Sequence, residues 1–120
     1  MRFLSFSKLE KKLLPQHRNR LNHAESVEDV KKFFFYTIKE LFEKGFGGNM
    51  QLRAEDVSLS PQMAPYFRVS KAIQDRNDFR DSWQGSDLSM IIQRLATSSV
   101  HRYQHLEDNA LKSRLKIKGH

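Results

Sequence analysis

Cysteine is absent from this 120-residue chain, and its absence excludes several kinds of chemistry at once. A disulfide framework, a thiolate metal site and a cysteine nucleophile all require a thiol. The absence also fits a reducing compartment, so we expect a cytoplasmic protein.

Long apolar stretches are missing as well. No run of 18 apolar residues occurs, so we predict no transmembrane segment. The N-terminal sequence MRFLSFSKLEKKLL lacks the continuous apolar region of a secretory signal. It carries Arg, Lys and Ser with a single acid, so an organelle transit peptide remains an alternative to the plainer interpretation, a first helix.

Sequence motifs that carry known chemistry are also scarce. The stretch GFGGNM lacks the Gly-Lys-Ser/Thr ending of a phosphate loop and follows a helical pattern, so we interpret it as a helix terminus. In QDRNDFRD, Asp75 and Asn77 suit the first positions of a calcium loop, but Phe79 and Arg80 stand where a ligand and a glycine are needed. The interleaved arginines of this stretch indicate local ion pairs instead. In Glu55-Asp56, we expect a turn or cap role for the aspartate.

No group of residues supplies a nucleophile, a base and an oxyanion donor together, and no G-x-S-x-G motif occurs. We therefore expect a protein that is not an enzyme and uses no cofactor.

The composition is that of a soluble globular protein, with 38% hydrophobic and 29% charged residues. Nine phenylalanines favour a real interior. The length fits one domain. We predict a single helical domain over residues 1–109, followed by a basic tail over residues 110–120 that is either a frayed helical extension or a mobile arm.

Positive charge is concentrated at the two ends of the chain. The net charge of +7 divides into +4 for residues 1–25, 0 for 26–50, −1 for 51–90 and +4 for 91–120. Basic ends of this kind attract phosphate-rich or acidic partners, or simply keep a small protein soluble.

Apolar spacing predicts four helices, and hence an all-α fold: a small bundle of about four helices. In the first, Pro15 is expected to end or kink the helix, with more helix after it as an alternative. The second begins at a Ser26 cap and ends near Gly45. The apolar faces of these two helices comprise Phe3, Phe6, Leu9, Leu13 and Leu14, and then Val30, Phe33, Phe34, Ile38 and Leu41.

The middle of the chain is irregular. Residues 51–60 lack a helical period, and we interpret them mostly as loop, with a short strand as the alternative. Pro61 or Pro65 then opens a third helix, followed by broken helix or turn around Phe79 and Trp83. The fourth helix is expected from a Ser86 or Asp87 cap to about Asp108. The inner faces of the third and fourth helices comprise Tyr66, Val69, Ala72 and Ile73, and then Leu88, Ile91, Ile92, Leu95, Ala96, Tyr103 and Leu106.

His101, His105 and Asp108 share one helical face and are the only metal-ligand candidates that we single out. With Leu88 set at 0°, the apolar face centres near about 20°, whereas His101 and His105 fall near about 220° and 260°. Arg102 stands where a zinc helix of the H-E-x-x-H type needs glutamate. We therefore interpret these residues as a solvated face and predict no metal site.

Large aromatic residues beyond the inner faces favour a protein-interaction module, with a protein partner or self-association. The alternative is that the second helix is central and buried, so that its wide aromatic arc belongs to the core. The partner-binding candidates are Phe35, Tyr36, Phe42 and Phe67.

Nucleic-acid binding through the basic terminal segments is the second functional hypothesis. No aromatic RNA-binding strand motif, zinc finger or helix-turn-helix pattern accompanies the charge. Binding of the amphipathic first helix to an anionic membrane surface is less favoured, because the same helix suits the core. The nucleic-acid candidates are Lys8, Lys11, Lys12, Arg18, Arg20, Lys112, Arg114, Lys116 and Lys118.

Overall fold

The computed structural model describes the backbone of residues 6–118 and the side chains of residues 6–110. Within that part, five helices enclose a two-stranded sheet in the middle of the chain. The fold is therefore mostly helical, and the all-α prediction is corrected by a β-hairpin. The elements in order are α1 (Ser7–His23), α2 (Val27–Gly45), β1 (Val57–Leu59), β2 (Phe67–Val69), α3 (Lys71–Gln74), α4 (Asn77–Gly85) and α5 (Leu88–Lys118).

Helix α1 continues through Pro15 to His23, so the expectation that it ends at the proline is wrong and the alternative of more helix after Pro15 is confirmed. Proline lacks the N–H that a helix interior uses, which costs stability at this position. Leu13, His17 and Leu21 are all buried on one face, and this tertiary packing supports the helix on both sides of Pro15. Phe3, assigned to the same apolar face, lies outside the described residues.

Helix α2 has the predicted limits. The Ser26 side chain accepts a hydrogen bond from the Asp29 N–H (3.2 Å), and the Asp29 carboxylate accepts one from the Glu25 N–H (3.1 Å). At the other end, Gly45 lies against the Phe6 ring, where a Cβ atom would collide with it. The predicted helix terminus at GFGGN is confirmed.

The middle segment folds as an antiparallel hairpin in which Val57 pairs with Val69 and Leu59 with Phe67. The helix predicted to open at Pro61 or Pro65 begins instead at Lys71, with the Ser70 side chain as its cap. Residues 67–69, which were assigned to the third helix, form a strand for a physical reason. Their side chains alternate between apolar and polar, which suits a strand, and their backbone groups pair with those of residues 57–59. Ala72, expected on an inner face, is exposed.

Helices α4 and α5 complete the fold. Phe79 is buried and Trp83 half-buried, as predicted for inward anchors. The Ser86 hydroxyl accepts a hydrogen bond from the Leu88 N–H (3.2 Å) at the start of α5. The backbone of α5 stays helical to Lys118, beyond the end expected near Asp108. The predicted inner face of α5 is buried through Tyr103, and Leu106 packs against the core as a half-buried residue.

The core forms where α1, α2 and α5 pack together, with the hairpin against α2. Complete burial of one such aliphatic or aromatic side chain contributes about 1.5–3 kcal/mol. The Phe42 ring contacts both Phe46, which follows α2, and Phe79 on α4. Its ring centroid is 5.6 Å from that of Phe46 and 6.0 Å from that of Phe79. Fully buried members are Phe34, Ile38, Leu41, Phe42, Met50, Leu88, Ile91, Ile92 and Leu95.

Candidate binding groove

A candidate site is an open groove between strand β2 and helices α3 and α4, which we name the aromatic groove. Its volume is about 730 Å³, within the range of clefts that bind small molecules or short peptides. Its lining residues are Pro65, Phe67, Arg68, Val69, Gln74, Asp75, Phe79, Arg80, Trp83 and Gln84.

Three aromatic rings in contact form the apolar side of this groove. Phe79 and Trp83 are four residues apart on α4, so they share a helical face, and their ring centroids are 5.2 Å apart at an interplanar angle of 27°. The Phe67 ring meets Trp83 edge-on, with the centroids 6.1 Å apart. Phe67 and Trp83 remain half-buried, so part of each ring faces the groove.

The second feature is the backbone edge of β2. Cross-strand hydrogen bonds run from the Ser60 N–H to the Tyr66 carbonyl and from the Ser70 N–H to the Asp56 carbonyl, both at 2.7 Å. In an antiparallel ladder, hydrogen-bonded residue pairs alternate with pairs that are not hydrogen-bonded to each other. Phe67 and Val69 belong to the second kind, so their N–H and C=O groups are directed away from β1. No residue of β1 lines the groove, which therefore lies along this outer edge.

Part of the β2 edge is already used. The Gln74 side chain donates to the Val69 carbonyl at 2.6 Å. The backbone N–H groups of Phe67 and Val69 and the Phe67 carbonyl remain directed outward. A short extended chain would find two donors and one acceptor there.

The polar side of the groove is mainly cationic. The Arg80 guanidinium lies 3.5 Å from the Asp75 carboxylate and donates to the Gln74 carbonyl at 3.1 Å. Arg68 is exposed and enters no ion pair with the residues that the structure describes. One arginine of the groove is thus paired with a carboxylate, and the other is not.

Buried Asp56 positions the groove's strand. Its carboxylate accepts hydrogen bonds from the Arg53 N–H and the Ser70 hydroxyl, both at 2.8 Å. These bonds close the loop before β1 and tie it to the end of β2. The turn role expected of Asp56 is confirmed.

The ion pairs expected within QDRNDFRD are also present. Arg76 donates to both carboxylate oxygens of Asp78 (3.0 and 2.9 Å) and to the Asn49 carbonyl (3.0 Å), which holds α4 against the loop after α2. This hydrogen-bonded guanidinium holds the pKa of Asp78 below its usual range. The stretch is therefore a structural joint beside the aromatic groove.

A buried histidine that the sequence analysis did not single out lies between three helices. The Nδ1 atom of His17 is 2.7 Å from the Thr37 hydroxyl on α2, and its Nε2 atom is 2.9 Å from the Ser99 hydroxyl on α5. Because the Ser99 hydroxyl donates to the Leu95 carbonyl (2.8 Å), we assign the proton to Nε2 and let Thr37 donate to Nδ1. Burial lowers the pKa of His17 to about 4.

This serine–histidine contact is structural. A catalytic serine would direct its proton towards the histidine, whereas Ser99 directs its proton to the backbone of its own helix. Both residues are fully buried, so no substrate reaches them. The spacing of His17 four residues from Leu13 and from Leu21 was the available signal, and the expected break at Pro15 concealed it.

The predicted aromatic partner surface is divided by the structure. Phe42 is fully buried, so its assignment to a surface is wrong, and the alternative of a buried second helix holds at that position. Phe35 and Tyr36 lie side by side on α2, with their ring centroids 6.2 Å apart and Tyr36 46% exposed. Phe67 lies in the aromatic groove. Sequence reasoning missed Arg68, Arg80 and the groove itself, because residues 67–69 were assigned to a helix.

His101, His105 and Asp108 are exposed on α5. In the part of the chain that the structure describes, no group of three His, Cys, Asp or Glu residues could hold a metal ion. The Asn109 amide lies 3.2 Å from Nε2 of His105. His101 and His105 line a second, smaller cavity against α1, considered below.

The predicted nucleic-acid-binding residues fall on two helices. Lys8, Lys11, Lys12 and Arg18 are exposed on α1, and Arg20 is half-buried. Those of the C-terminal group lie on the extension of α5, where only the backbone is described: Lys112, Arg114, Lys116 and Lys118.

Comparison of the chain with protein-family models, curated proteins and solved structures found no match. No helix within residues 6–118 combines the length and apolarity needed to cross a bilayer.

Proposed function

We propose that this protein is a non-catalytic interaction module whose aromatic groove binds an extended segment of a partner protein. The observation that carries the proposal is the outward-facing edge of β2 alongside the rings of Phe67, Phe79 and Trp83. Strand addition beside a helix is a recurring mode of peptide recognition.

The backbone supplies affinity that does not depend on the partner's sequence. A strand laid along β2 would pair with the N–H and C=O groups of Phe67 and with the Val69 N–H. The length of the added strand would be limited at one end by the Gln74 side chain, which already donates a hydrogen bond to the Val69 carbonyl. The groove therefore suits a short segment of three or four extended residues, and a longer strand would have to displace Gln74.

The side chains supply selectivity. Alternate residues of an extended peptide point to opposite sides, so one set can reach the aromatic rings while the other reaches the arginines. Arg68 has no acidic neighbour among the described ion pairs, and a carboxylate would complement it. The expected ligand alternates apolar and acidic residues.

The test uses the single tryptophan of the chain, Trp83, which lies in the groove. Peptides selected from a phage-displayed library are titrated while Trp83 fluorescence is recorded. We expect alternating apolar and acidic sequences whose binding changes the emission, with an affinity that falls about tenfold on Arg68→Glu, since one charge pair at an interface contributes about 1–2 kcal/mol.

The matched control is Arg53→Glu, which makes the same charge change at an exposed arginine outside the groove lining. A peptide in which N-methylation removes backbone donors tests strand pairing at constant side chains. Selected peptides that bind Arg68→Glu as well as the unchanged protein, or that leave Trp83 emission constant, would contradict the proposal.

Single-stranded nucleic acid is the competing occupant, because bases also stack on aromatic and guanidinium planes. A ten-nucleotide oligothymidylate should leave Trp83 emission unchanged if the groove is a peptide site. The cytoplasmic location stays a prediction, to be checked by imaging the tagged protein in its native cells.

A further inference from the structure

A second cavity lies between the end of α1 and the middle of α5, and we name it the cationic groove. Its volume is about 490 Å³. Four of its residues carry or can acquire positive charge, and none is acidic. Its lining residues are Arg18, Leu21 and Asn22 of α1 and Ser98, His101, Arg102 and His105 of α5.

The neighbouring stretch of the same α1–α5 seam is different. There Arg94 donates from Nε and Nη2 to the two carboxylate oxygens of Glu10, both at 2.8 Å, and its charge is neutralised. Arg18 and Arg102 form no ion pair with any residue that the structure describes. Uncompensated positive charge is therefore concentrated at one end of the seam.

Arg102 is fixed in this groove by its contacts with α1. Its Nη2 atom donates to the Ala24 carbonyl at 3.1 Å and to the Asn22 carbonyl at 3.4 Å, which offsets the partial negative charge at the end of that helix. Its Nε atom is buried and has no hydrogen-bond partner among the residues that the structure describes. Arg18, His101 and His105 are exposed and remain available to a ligand.

We propose that the cationic groove binds the phosphoryl group of a ligand. Arg18, His101 and His105 would donate hydrogen bonds to its oxygens, and Arg102 would add a fixed charge beside it. Several donors around one concave surface suit a multiply charged oxyanion with three or four acceptor atoms better than a single carboxylate. This site is separate from the aromatic groove, and the inference is independent of the peptide proposal.

Besides the two histidines, the charged residues of the groove lining are Arg18 on α1 and Arg102 on α5. Asp108 lies one turn beyond His105, outside the groove lining. Because the Asp108 carboxylate would repel a phosphoryl group, Asp108→Asn should strengthen binding.

The experiment titrates the full chain with inorganic pyrophosphate at pH 6 and follows the imidazole and guanidinium resonances by NMR. We expect saturable shifts at His101 and His105. Arg18→Gln and His105→Gln should each weaken binding about fivefold, the effect of losing one exposed charged contact. Arg53→Gln, the matched control, should change it less than about twofold.

Two results would overturn the proposal: no saturable shift at these histidines, or pyrophosphate binding that survives Arg18→Gln. Unchanged melting temperatures of the variants show that a loss of binding is not a loss of folding, since both positions are exposed. A ten-nucleotide oligothymidylate then identifies the phosphate source. If the oligonucleotide binds and Arg18→Gln weakens its binding, the phosphate source is a nucleic-acid backbone. If the protein binds pyrophosphate but not the oligonucleotide, the source is a small phosphorylated ligand.

Discussion

Two regions of this small protein are built on different principles. Where α1, α2 and α5 meet, the interior is closed, and its buried polar cluster satisfies its own hydrogen bonds through His17, Thr37 and Ser99. Around β2 and α4, the rings of Phe67 and Trp83 are only partly covered, and the backbone edge faces outward. The closed region supplies stability, and the open region presents groups that a ligand can satisfy.

The joint between the two regions includes the packing of β1 against α2 and α5. Phe42 on α2 contacts Phe79 on α4, and Arg76 reaches the Asn49 carbonyl after α2. Asp56 joins the loop before β1 to the end of β2. Substitutions at these positions should therefore separate the stability of the closed region from the shape of the open one.

The largest effect is expected from Phe42→Ala. Removing a fully buried ring at the joint should destabilise the protein by about 3–5 kcal/mol, because it leaves a cavity between Phe46 and Phe79. Urea unfolding followed by circular dichroism measures this change in the free energy of unfolding. Tyr36→Ala, an aromatic truncation at an exposed position of the same helix, should cost less than about 1 kcal/mol. Equal decreases in the free energy of unfolding at the two positions would show that Phe42 does not contribute more to stability than an exposed aromatic residue.

The closed region should weaken in acid because of His17. Its pKa of about 4 in the folded protein lies below the ordinary value of 6.5, so between these values the unfolded chain binds more protons. The contribution of His17 to the free energy of unfolding is fully present above about pH 6.5 and is lost as the pH drops towards 4. At 1.36 kcal/mol per pKa unit, the loss is at most about 3 kcal/mol.

This dependence is measured by urea unfolding between pH 4 and pH 7.5. His17→Gln should lower stability at neutral pH and flatten the decline between pH 6.5 and 4. His23→Gln, at an exposed position of the same helix, is the control and should leave the decline in place. A decline as steep in His17→Gln as in the unchanged protein would assign it to other groups.

The smallest effect concerns the open region. Asp56→Ala removes the acceptor of two hydrogen bonds and should cost about 2 kcal/mol, since two polar groups lose their partner. The loss should be accompanied by a change in Trp83 fluorescence, because β2 is no longer held beside α4. Glu55→Ala, at the exposed neighbouring carboxylate, should change neither quantity. An Asp56→Ala protein with unchanged Trp83 emission would show that the hairpin keeps its position without this residue.

The agreement between sequence and structure follows the same division. In the closed region, local signals and tertiary packing coincide: the Ser26 cap, the end of α2 and the apolar face of α5 are as predicted. In the open region, Pro61 and Pro65 resembled helix starts, but the pairing of residues 57–59 with 67–69 decided the conformation. The strand at 57–59 matches the alternative predicted for residues 51–60, whereas residues 67–69 were assigned to a helix. A strand of three residues shows too little alternation to be recognised, and its partner lies across a loop.

The candidate sites were hidden for a related reason. The aromatic groove requires β2 and α4 to lie side by side, and the cationic groove requires Arg18 and His101 to meet across two helices. Neither relation leaves a spacing pattern in the chain, because catalytic and binding residues come together through tertiary contacts. Tyr36, expected beyond the inner face of α2, is exposed, whereas Phe42, expected to widen the apolar arc of that helix, is part of the core.

By itself, the sequence determined the mostly helical character of the protein, the limits of α2, the inner face of α5 and the absence of any thiol chemistry. These properties depend on residue type and on spacing within one segment, which a helix repeats every turn. Only the tertiary structure decided that α1 continues through Pro15, that residues 67–69 form a strand and that His17 is buried and neutral. Each of these depends on groups distant in the chain, whose burial and hydrogen bonding outweigh the local preference.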